Sequence, residues 1–209
     1  MGDWRVGTVA DAAVPRGLVG GPFGSKLVSR DYAETGVPVI RGKNLGQGRF
    51  VDLSDAVFVS HEKFARDLRT NDAKPGDLVF TQRGTLGQVA VMPSDAPIAV
   101  VSQSQMRLRV NHEVVDPWFV YYWATSPSFL RLLDDRAIVA GVPHINLGIL
   151  AAMPLPLPPL DEQRRIAAVL RALDDLIETN QRLTALLGPQ ARRAASQAPS
   201  IVKLSSVAR

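Results

Sequence analysis

The order of apolar and polar residues divides the chain into a first part with short apolar runs and a second part with a helical repeat. Up to about residue 150, runs rich in β-branched residues alternate with Gly, Pro, Asn and Asp. The runs are VPVIRGKNL (37–45), DAVFVS (55–60), DLVFTQR (77–83), GQVAVM (87–92) and IAVVSQSQMRLRV (98–110). Such runs predict strands. The third and fourth are too close for a crossover connection, so we expect a hairpin around Arg83–Thr85.

Short helices are expected between these strands. HEKFARDL (61–68) is the first. Two further helices each begin with a capping residue followed by proline at the first helical position, at Asp116-Pro117 and at Ser126-Pro127. The pattern over residues 1–152 therefore predicts an α+β domain with an antiparallel or mixed sheet and short helices.

A heptad repeat follows this domain. With Ile166 at position a, large apolar residues occupy the a, d and e positions, and charged residues fall at b, c and f. We call this face the apolar stripe. It consists of Ile166, Val169, Leu170, Leu173, Leu176, Ile177, Leu183 and Leu187, with the polar Asn180 at one a position. Leaving these side chains in water would forgo on the order of 10 kcal/mol, so the stripe needs a cover. Folding back on the first domain is one solution, but the regularity favours pairing with another long helix.

The segment MPLPLPPL (153–160) joins the two parts. Its prolines hold the backbone near an extended polyproline conformation and bar the residue before each proline from a helix. We expect a stiff joint at 153–160, a long coiled-coil-type helix over 161–188 that begins near Asp161-Glu162, and a tail at 189–209.

Composition adds few constraints. The chain has 46% hydrophobic and 21% charged residues, which is ordinary for a globular protein. Its longest uncharged apolar run is broken by Gly and Pro, so no membrane helix is expected. The absence of cysteine and of a signal-peptide pattern indicates a cytoplasmic location. The sequence pI of about 9.8 permits a polyanionic partner.

Polar side chains suited to DNA gather in the loops and on one strand. Gln103, Gln105, Arg107 and Arg109 alternate with apolar residues and so share one face, which is either the wet side of a sheet or a base-reading surface. Lys and Arg suit phosphates, and Arg, Asn and Gln suit base edges. The candidate DNA-binding residues are Lys26, Arg30, Arg41, Lys43, Asn44, Arg49, Gln82, Arg83, Gln103, Gln105, Arg107 and His144.

Catalytic patterns are missing from the sequence. The Gly-rich loops lack the G-x-G-x-x-G and G-K-[ST] motifs of nucleotide-binding sites. Three widely spaced histidines without cysteine give no zinc pattern, and no G-x-S-x-G motif presents a nucleophile. We therefore expect a non-catalytic protein with no cofactor or metal of its own.

Three blocks of sequence carry a family resemblance. GGPFGSKLVSRDYAETGVPVIRGKNL, KPGDLVFTQRGTLGQVAVM and MPLPLPPLDEQRRIAAVLRALDDLIE follow one another along the chain. Together they resemble the specificity subunit of type I restriction-modification systems. The resemblance implies that residues 1–152 form a target recognition domain that reads one half of a bipartite sequence in double-stranded DNA. It also implies that separate modification and restriction subunits do the chemistry, with S-adenosylmethionine bound by the modification subunit.

The chain departs from the family pattern because it has one recognition domain and one long helix where a typical subunit has two of each. The tail sequence LSSVAR (204–209) echoes VGTVAD (6–11), as if a second repeat began there. A natural half-subunit, a truncated gene product and a fragment cut at the repeat boundary all fit this pattern. In the family the long helices pair antiparallel, which implies a homodimer through the apolar stripe that reads two identical, inverted half-sites.

Two alternatives remain open at this point. The chain pairs with a different half-subunit and reads an asymmetric target, or it is an incomplete subunit that occupies modification subunits without reading DNA alone. The helix over 161–187 would span roughly 40 Å, slightly more than one turn of DNA, so recognition domains at its two ends would face the same side of the duplex.

Overall fold

The computed structural model describes residues 4–46, 48–139 and 141–197, with side chains up to residue 188. The chain separates into two compact units, residues 1–167 and 168–209. The proposed joint and the first turns of the long helix therefore belong to the first unit, whereas the sequence placed a boundary at residue 152. The echo expected at 204–209 lies outside the described residues.

The first unit is built from short strands. They are β1 (Arg5–Thr8), β2 (Ala13–Gly20), β3 (Tyr32–Ala33), β4 (Val37–Ile40), β5 (Val57–Val59), β6 (Asp72–Ala73), β7 (Leu78–Thr81), β8 (Val89–Val91), β9 (Ala99–Val101), β10 (Gln105–Val110) and β11 (Pro154–Leu157). Their β-branched and apolar residues favour the extended backbone.

These strands form three sheets. An antiparallel sheet has the order β2-β10-β7-β8, and its β7–β8 pair is the hairpin that the sequence predicted. A mixed sheet has the order β3-β5-β4-β9-β6, in which only the β4–β9 pair is parallel. A third, two-stranded sheet joins β1 to β11. The predicted α+β class with a mixed or antiparallel sheet and short helices is confirmed.

Short helices complete the unit. They are α1 (Val9–Ala12), α2 (His61–Lys63, continued by a π-helical turn over Phe64–Leu68), α3 (Pro117–Ala124), α4 (Pro127–Arg136) and α5 (Leu147–Ala151). Single 3₁₀ turns lie at Gly24–Lys26, Ser29–Asp31, Gly42–Asn44 and Arg69–Asn71. Asp116 and Ser126 cap α3 and α4 as predicted, because their side chains accept backbone N–H groups of the first turn.

Part of the joint expected at 153–160, Pro154–Leu157, is a paired strand, whereas the sequence predicted a stiff, extended segment without a partner strand. Leu155 and Leu157 point into the core, and Pro154 and Pro156 alternate with them on the outer side. The bond from the Val9 N–H to the Met153 carbonyl, 3.1 Å, brackets the Thr8–Pro154 pair, so that pair exchanges no hydrogen bond of its own. By the same alternation, both prolines occupy positions where the ladder needs no N–H donor.

The run 98–110 also differs from its prediction as one long strand. It breaks at Ser102–Ser104, where the Gln105 N–H bonds the Ser102 carbonyl at 3.0 Å, and the chain passes from the mixed sheet to the antiparallel sheet. We call residues 102–104 the β9–β10 connection.

The two larger sheets pack face to face. Phe80, Met106 and Leu108 face the helices in the largest apolar cluster, whereas Val79 and Ala90 face Ile40 and Val101 of the mixed sheet in a second cluster. A third cluster covers the far side of the mixed sheet. The odd-numbered face of β10 therefore points between two sheets instead of toward water.

The long helix α6 spans Leu160–Gln197, 38 residues or about 57 Å. It starts one residue before the expected Asp161 and continues past the expected end at 188. Pro189 lies within this range, so the proline does not end the helix.

Candidate nucleic-acid interface

The β9–β10 connection brings two distant polar segments to one edge of the first unit. The backbone N–H groups of Gln82 and Arg83 both donate to the Ser104 carbonyl, at 2.7 and 3.3 Å. The Ile145 N–H donates to the Gln82 carbonyl at 2.9 Å, and Arg83 pairs with His144 as an isolated β-bridge. His144 therefore lies beside Gln82 and Arg83, although it is about sixty residues away along the chain.

A third segment, the loop from Pro22 to Arg30, reaches the same edge through Gln103. The side-chain amide of Gln103 donates to the Gly24 carbonyl at 2.7 Å and to the Leu27 carbonyl at 3.2 Å. This loop carries Lys26 and Arg30, both exposed. We call the surface formed by Lys26, Arg30, Gln82, Arg83, Gln103 and His144 the polar edge.

A cleft of about 460 Å³ opens beside the polar edge. Its walls are the loop, the β9–β10 connection, Tyr32 and the Arg41–Gly42 pair. Arg41 is half-buried, and its Nε atom has no hydrogen-bond partner in the described part of the chain. The cleft therefore offers hydroxyl, amide and guanidinium groups in a concave surface, without a carboxylate among its described walls.

The cations of the polar edge are exposed and form no ion pair in the described residues, although Arg30 lies next to Asp31 in the chain. These cations are Lys26, Arg30 and Arg83. Lys43 differs because it is ion-paired with Asp55 and holds the pKa of that exposed carboxyl below its usual value. Exposed cations without an ion-pair partner repel one another, so this edge favours a polyanion.

Gln105 and Arg107 are corrections to the candidate set. Gln105 is fully buried and Arg107 is 3% exposed, because the face of β10 that carries them is covered by the mixed sheet. Burial lowers the pKa of Arg107, whose Nη2 donates to the Arg16 carbonyl at 3.4 Å and lies 4.0 Å from Asp72. Arg107 thus reaches Asp72 of the mixed sheet, and the Gln105 side chain accepts a bond from the Ser102 hydroxyl. Because both are buried, neither side chain presents a base-reading surface.

Asn44 and Arg49 are corrections of the same kind. Asn44 accepts a bond from the Arg41 N–H at 2.9 Å and donates to the Asp52 carbonyl at 2.8 Å, which holds the turn Gly42–Asn44 in place. Arg49 is buried with its guanidinium 5.4 Å from the Phe50 ring and 5.9 Å from the Trp118 ring. Both residue types suit DNA in a sequence, but here they stabilise the domain.

The apolar stripe is exposed over most of its length. Ile166 and Leu170 are half-buried, but Val169, Leu173, Leu176, Ile177, Leu183 and Leu187 are each exposed by about half or more, and Leu176 by 57%. Leu186, at a g position outside the predicted stripe, is also exposed. A row of large apolar side chains in water is typical of an interaction surface.

Comparison with known families identifies the chain. Residues 23–187 match the model described as "Type I restriction modification DNA specificity domain". The chain belongs to this family. The curated relatives of the chain are specificity subunits of type I restriction enzymes.

Individual relatives agree with this assignment. The type I restriction enzyme MjaVIII specificity subunit of Methanocaldococcus jannaschii is 26% identical over 156 residues, which are 73% of this chain and 36% of the relative. The MjaIX specificity subunit of the same organism is 24% identical over 185 residues, 88% of this chain and 41% of the relative. The matched region thus spans less than half of either relative.

A solved structure shares the fold. The HsdS subunit from Thermoanaerobacter tengcongensis superposes with a TM-score of 0.58 at 19% identity, covering 94% of this chain and 40% of that chain. In the part of the chain that the structure describes, no cluster of His, Cys, Asp and Glu could hold a metal ion. Among the same residues, no helix has the length and apolar character needed to cross a membrane.

Proposed function

We propose that this specificity domain binds double-stranded DNA through the polar edge and reads one half-site. The observation that carries the proposal is the meeting of three segments at the β9–β10 connection, which gathers Lys26, Arg30 and Arg83 on one exposed surface. Membership of a DNA specificity family supports it.

The polar edge offers the two kinds of contact that sequence-specific binding needs. Lys26 and Arg30 are exposed on the loop and neutralise phosphates, which fixes the position of the domain on the duplex. Arg83 and Gln82 lie at the end of the β7–β8 hairpin, and a two-stranded ribbon fits the major groove of B-DNA. Their guanidinium and amide groups bond guanine and adenine edges there. Arg41 lines the cleft and serves as a further phosphate contact, and Lys43 does so by exchanging its ion pair with Asp55 for a phosphate.

Dimerisation through α6 brings a second recognition domain to the DNA, so that both half-sites of the target are read. The exposed apolar stripe of one chain packs against the same stripe of a second copy, with Asn180 inside the interface. A closed pair of identical chains is two-fold symmetric, so it reads two identical half-sites in inverted orientation. Pairing with a different half-subunit uses the same stripe and gives an asymmetric target instead.

The dimer then recruits the catalytic subunits. The family implies separate modification and restriction subunits, with S-adenosylmethionine on the modification subunit. In this proposal the chain recognises the target sequence in DNA, and the partner subunits carry out methylation and cleavage.

A gel-shift titration with a pool of random 30-base-pair duplexes tests DNA binding directly. We expect binding at low salt that weakens steeply as salt is added, because bound cations release counterions from the phosphates. An incomplete subunit that only occupies modification subunits would give no shift at any salt concentration. That result would contradict DNA reading by this chain.

A further inference from the structure

Phe23 is a large apolar residue on the surface that takes no part in the hydrophobic core. Its side chain is 74% exposed, and it makes no ring contact with any other aromatic residue in the described part of the chain. Three other phenylalanines, Phe80, Phe119 and Phe129, are buried in the core. A single exposed apolar residue is common on protein surfaces, so its setting decides what it means.

The backbone that carries Phe23 is anchored on both sides. Gly21 donates its N–H to the Gln105 carbonyl at 2.9 Å, and a Cβ atom there would lie 1.9 Å from the Ser102 carbonyl oxygen, so only glycine fits. On the other side, Gly24 adopts a φ of 61° and its carbonyl accepts the Gln103 amide at 2.7 Å. The loop thus holds an aromatic ring outward at a defined place, which reduces the entropy lost when the ring is bound.

The surroundings of Phe23 specify the partner. Lys26 and Arg30 follow it on the same loop, both exposed and without an ion pair in the described residues. Gln103 bonds this loop through the Gly24 carbonyl. The next residue, Ser104, accepts the backbone N–H of Arg83, so the loop and Arg83 lie on either side of the β9–β10 connection. An apolar ring flanked by free cations matches nucleic acid, whose bases have π-faces and whose backbone is anionic.

We infer that Phe23 is a base-contacting residue that packs its ring against DNA bases and unstacks one base step while Lys26 and Arg30 bind the adjacent phosphates. Apolar side chains inserted between base steps act as wedges in other DNA-binding proteins. The inference rests on the proposed DNA binding of the polar edge and adds a contact that the candidate residues do not include.

The contributions of Phe23 and Lys26 to DNA affinity can be distinguished by their dependence on salt concentration. The Phe23 contact arises from stacking and desolvation, so removing it lowers affinity without changing the number of counterions released. Removing Lys26 lowers the slope of log affinity against log salt by about 1. A comparison of the two alanine variants therefore distinguishes a base contact from a general loss of binding.

The test uses the duplex that wild-type protein enriches from a random-sequence library, labelled for fluorescence anisotropy. Phe23→Ala should weaken binding by about 5- to 100-fold with an unchanged salt slope, and Phe23→Trp should stay near wild type because it keeps an aromatic face. Ile98→Ala is the matched control, since Ile98 is exposed but lies at the opposite end of β9 from the β9–β10 connection. It should bind like wild type.

A second measurement uses the wild-type protein on duplexes with 2-aminopurine placed at successive positions. The fluorescence of 2-aminopurine should rise at the one base step that Phe23 unstacks when wild-type protein binds. It should not rise when the Phe23→Ala variant binds. Wild-type affinity in Phe23→Ala, or no rise at any position, would overturn the inference while leaving DNA binding intact. Failure of wild-type protein to bind any duplex would overturn the proposed function and the inference with it.

Discussion

The side-chain oxygen of Gln163 accepts a 2.9 Å hydrogen bond from the backbone N–H of Asp116. The amide nitrogen of Gln163 donates to the Val114 carbonyl at 3.1 Å and to the Pro158 carbonyl at 2.9 Å. Asp116 in turn caps α3. One side chain, 1% exposed, thus ties the start of α6 to the end of β11 and to the entry of α3.

Replacing Gln163 with alanine should destabilise the domain by about 2 kcal/mol, because one buried and two partly buried backbone groups lose their partner. Urea denaturation at fixed protein concentration measures this change. The matched control is Gln181→Ala on the exposed face of the same helix, which should stay within about 0.5 kcal/mol of wild type. Equal stability of the two variants would show that Gln163 does not anchor the helix.

Replacing Arg109 with alanine should also destabilise the domain, by about 2 to 4 kcal/mol. Asp77 is 3% exposed and accepts Arg109 Nε at 2.8 Å and Nη2 at 2.7 Å, an arrangement that raises the pKa of Arg109. Without the guanidinium, a buried carboxylate loses its counter-charge. Thermal and urea unfolding of this variant and of Arg30→Ala, an exposed arginine, make the comparison. A loss as large in Arg30→Ala would contradict a specific role for the Arg109–Asp77 pair.

Period-two alternation identified the two faces of β10 from the sequence, but it did not identify what covers them. The partner of the polar face is a sheet assembled from β4 and β9, which lie about sixty residues apart along the chain and pair in parallel. Such long-range pairing leaves no local signal. The alternation therefore predicts solvent-facing side chains at Gln105 and Arg107, which lie between the sheets instead.

The proline segment illustrates the same limit. The prolines correctly predicted an extended backbone and a helix that could not begin early, because both follow from the geometry of the pyrrolidine ring. Pairing with β1 depends on residues almost 150 positions away, so no local pattern predicts its register. The hairpin, the capped helices and the heptad repeat were predictable because their determinants are local.

Arg83→Ala should weaken specific DNA binding by about 1 to 3 kcal/mol if Arg83 bonds a guanine edge. Fluorescence anisotropy with the enriched duplex and with mismatched duplexes measures both affinity and discrimination. Lys74→Ala removes an equal charge before β7, at the opposite end of that strand, and should have little effect. Unchanged DNA affinity in Arg83→Ala would show that Arg83 is an ordinary solvent-exposed turn residue without a role in reading bases.

Leu176→Glu should convert a dimer to a monomer, because it places a charge at the centre of the apolar stripe. Light scattering coupled to size-exclusion chromatography gives the mass directly. Gln181→Glu adds the same charge at a b position of α6 and should leave the dimer intact. A wild-type protein that stays monomeric at high concentration would contradict self-association through the stripe.

The central claim is that two copies of this chain bind one bipartite DNA site as a dimer. Methylome sequencing tests this claim most directly. A host that carries this gene with its modification subunit should gain methylation at a bipartite motif made of two identical, inverted half-sites. The same methylation should disappear in the Leu176→Glu variant. An asymmetric motif in that host, or methylation that persists in the variant, would contradict the symmetric dimer.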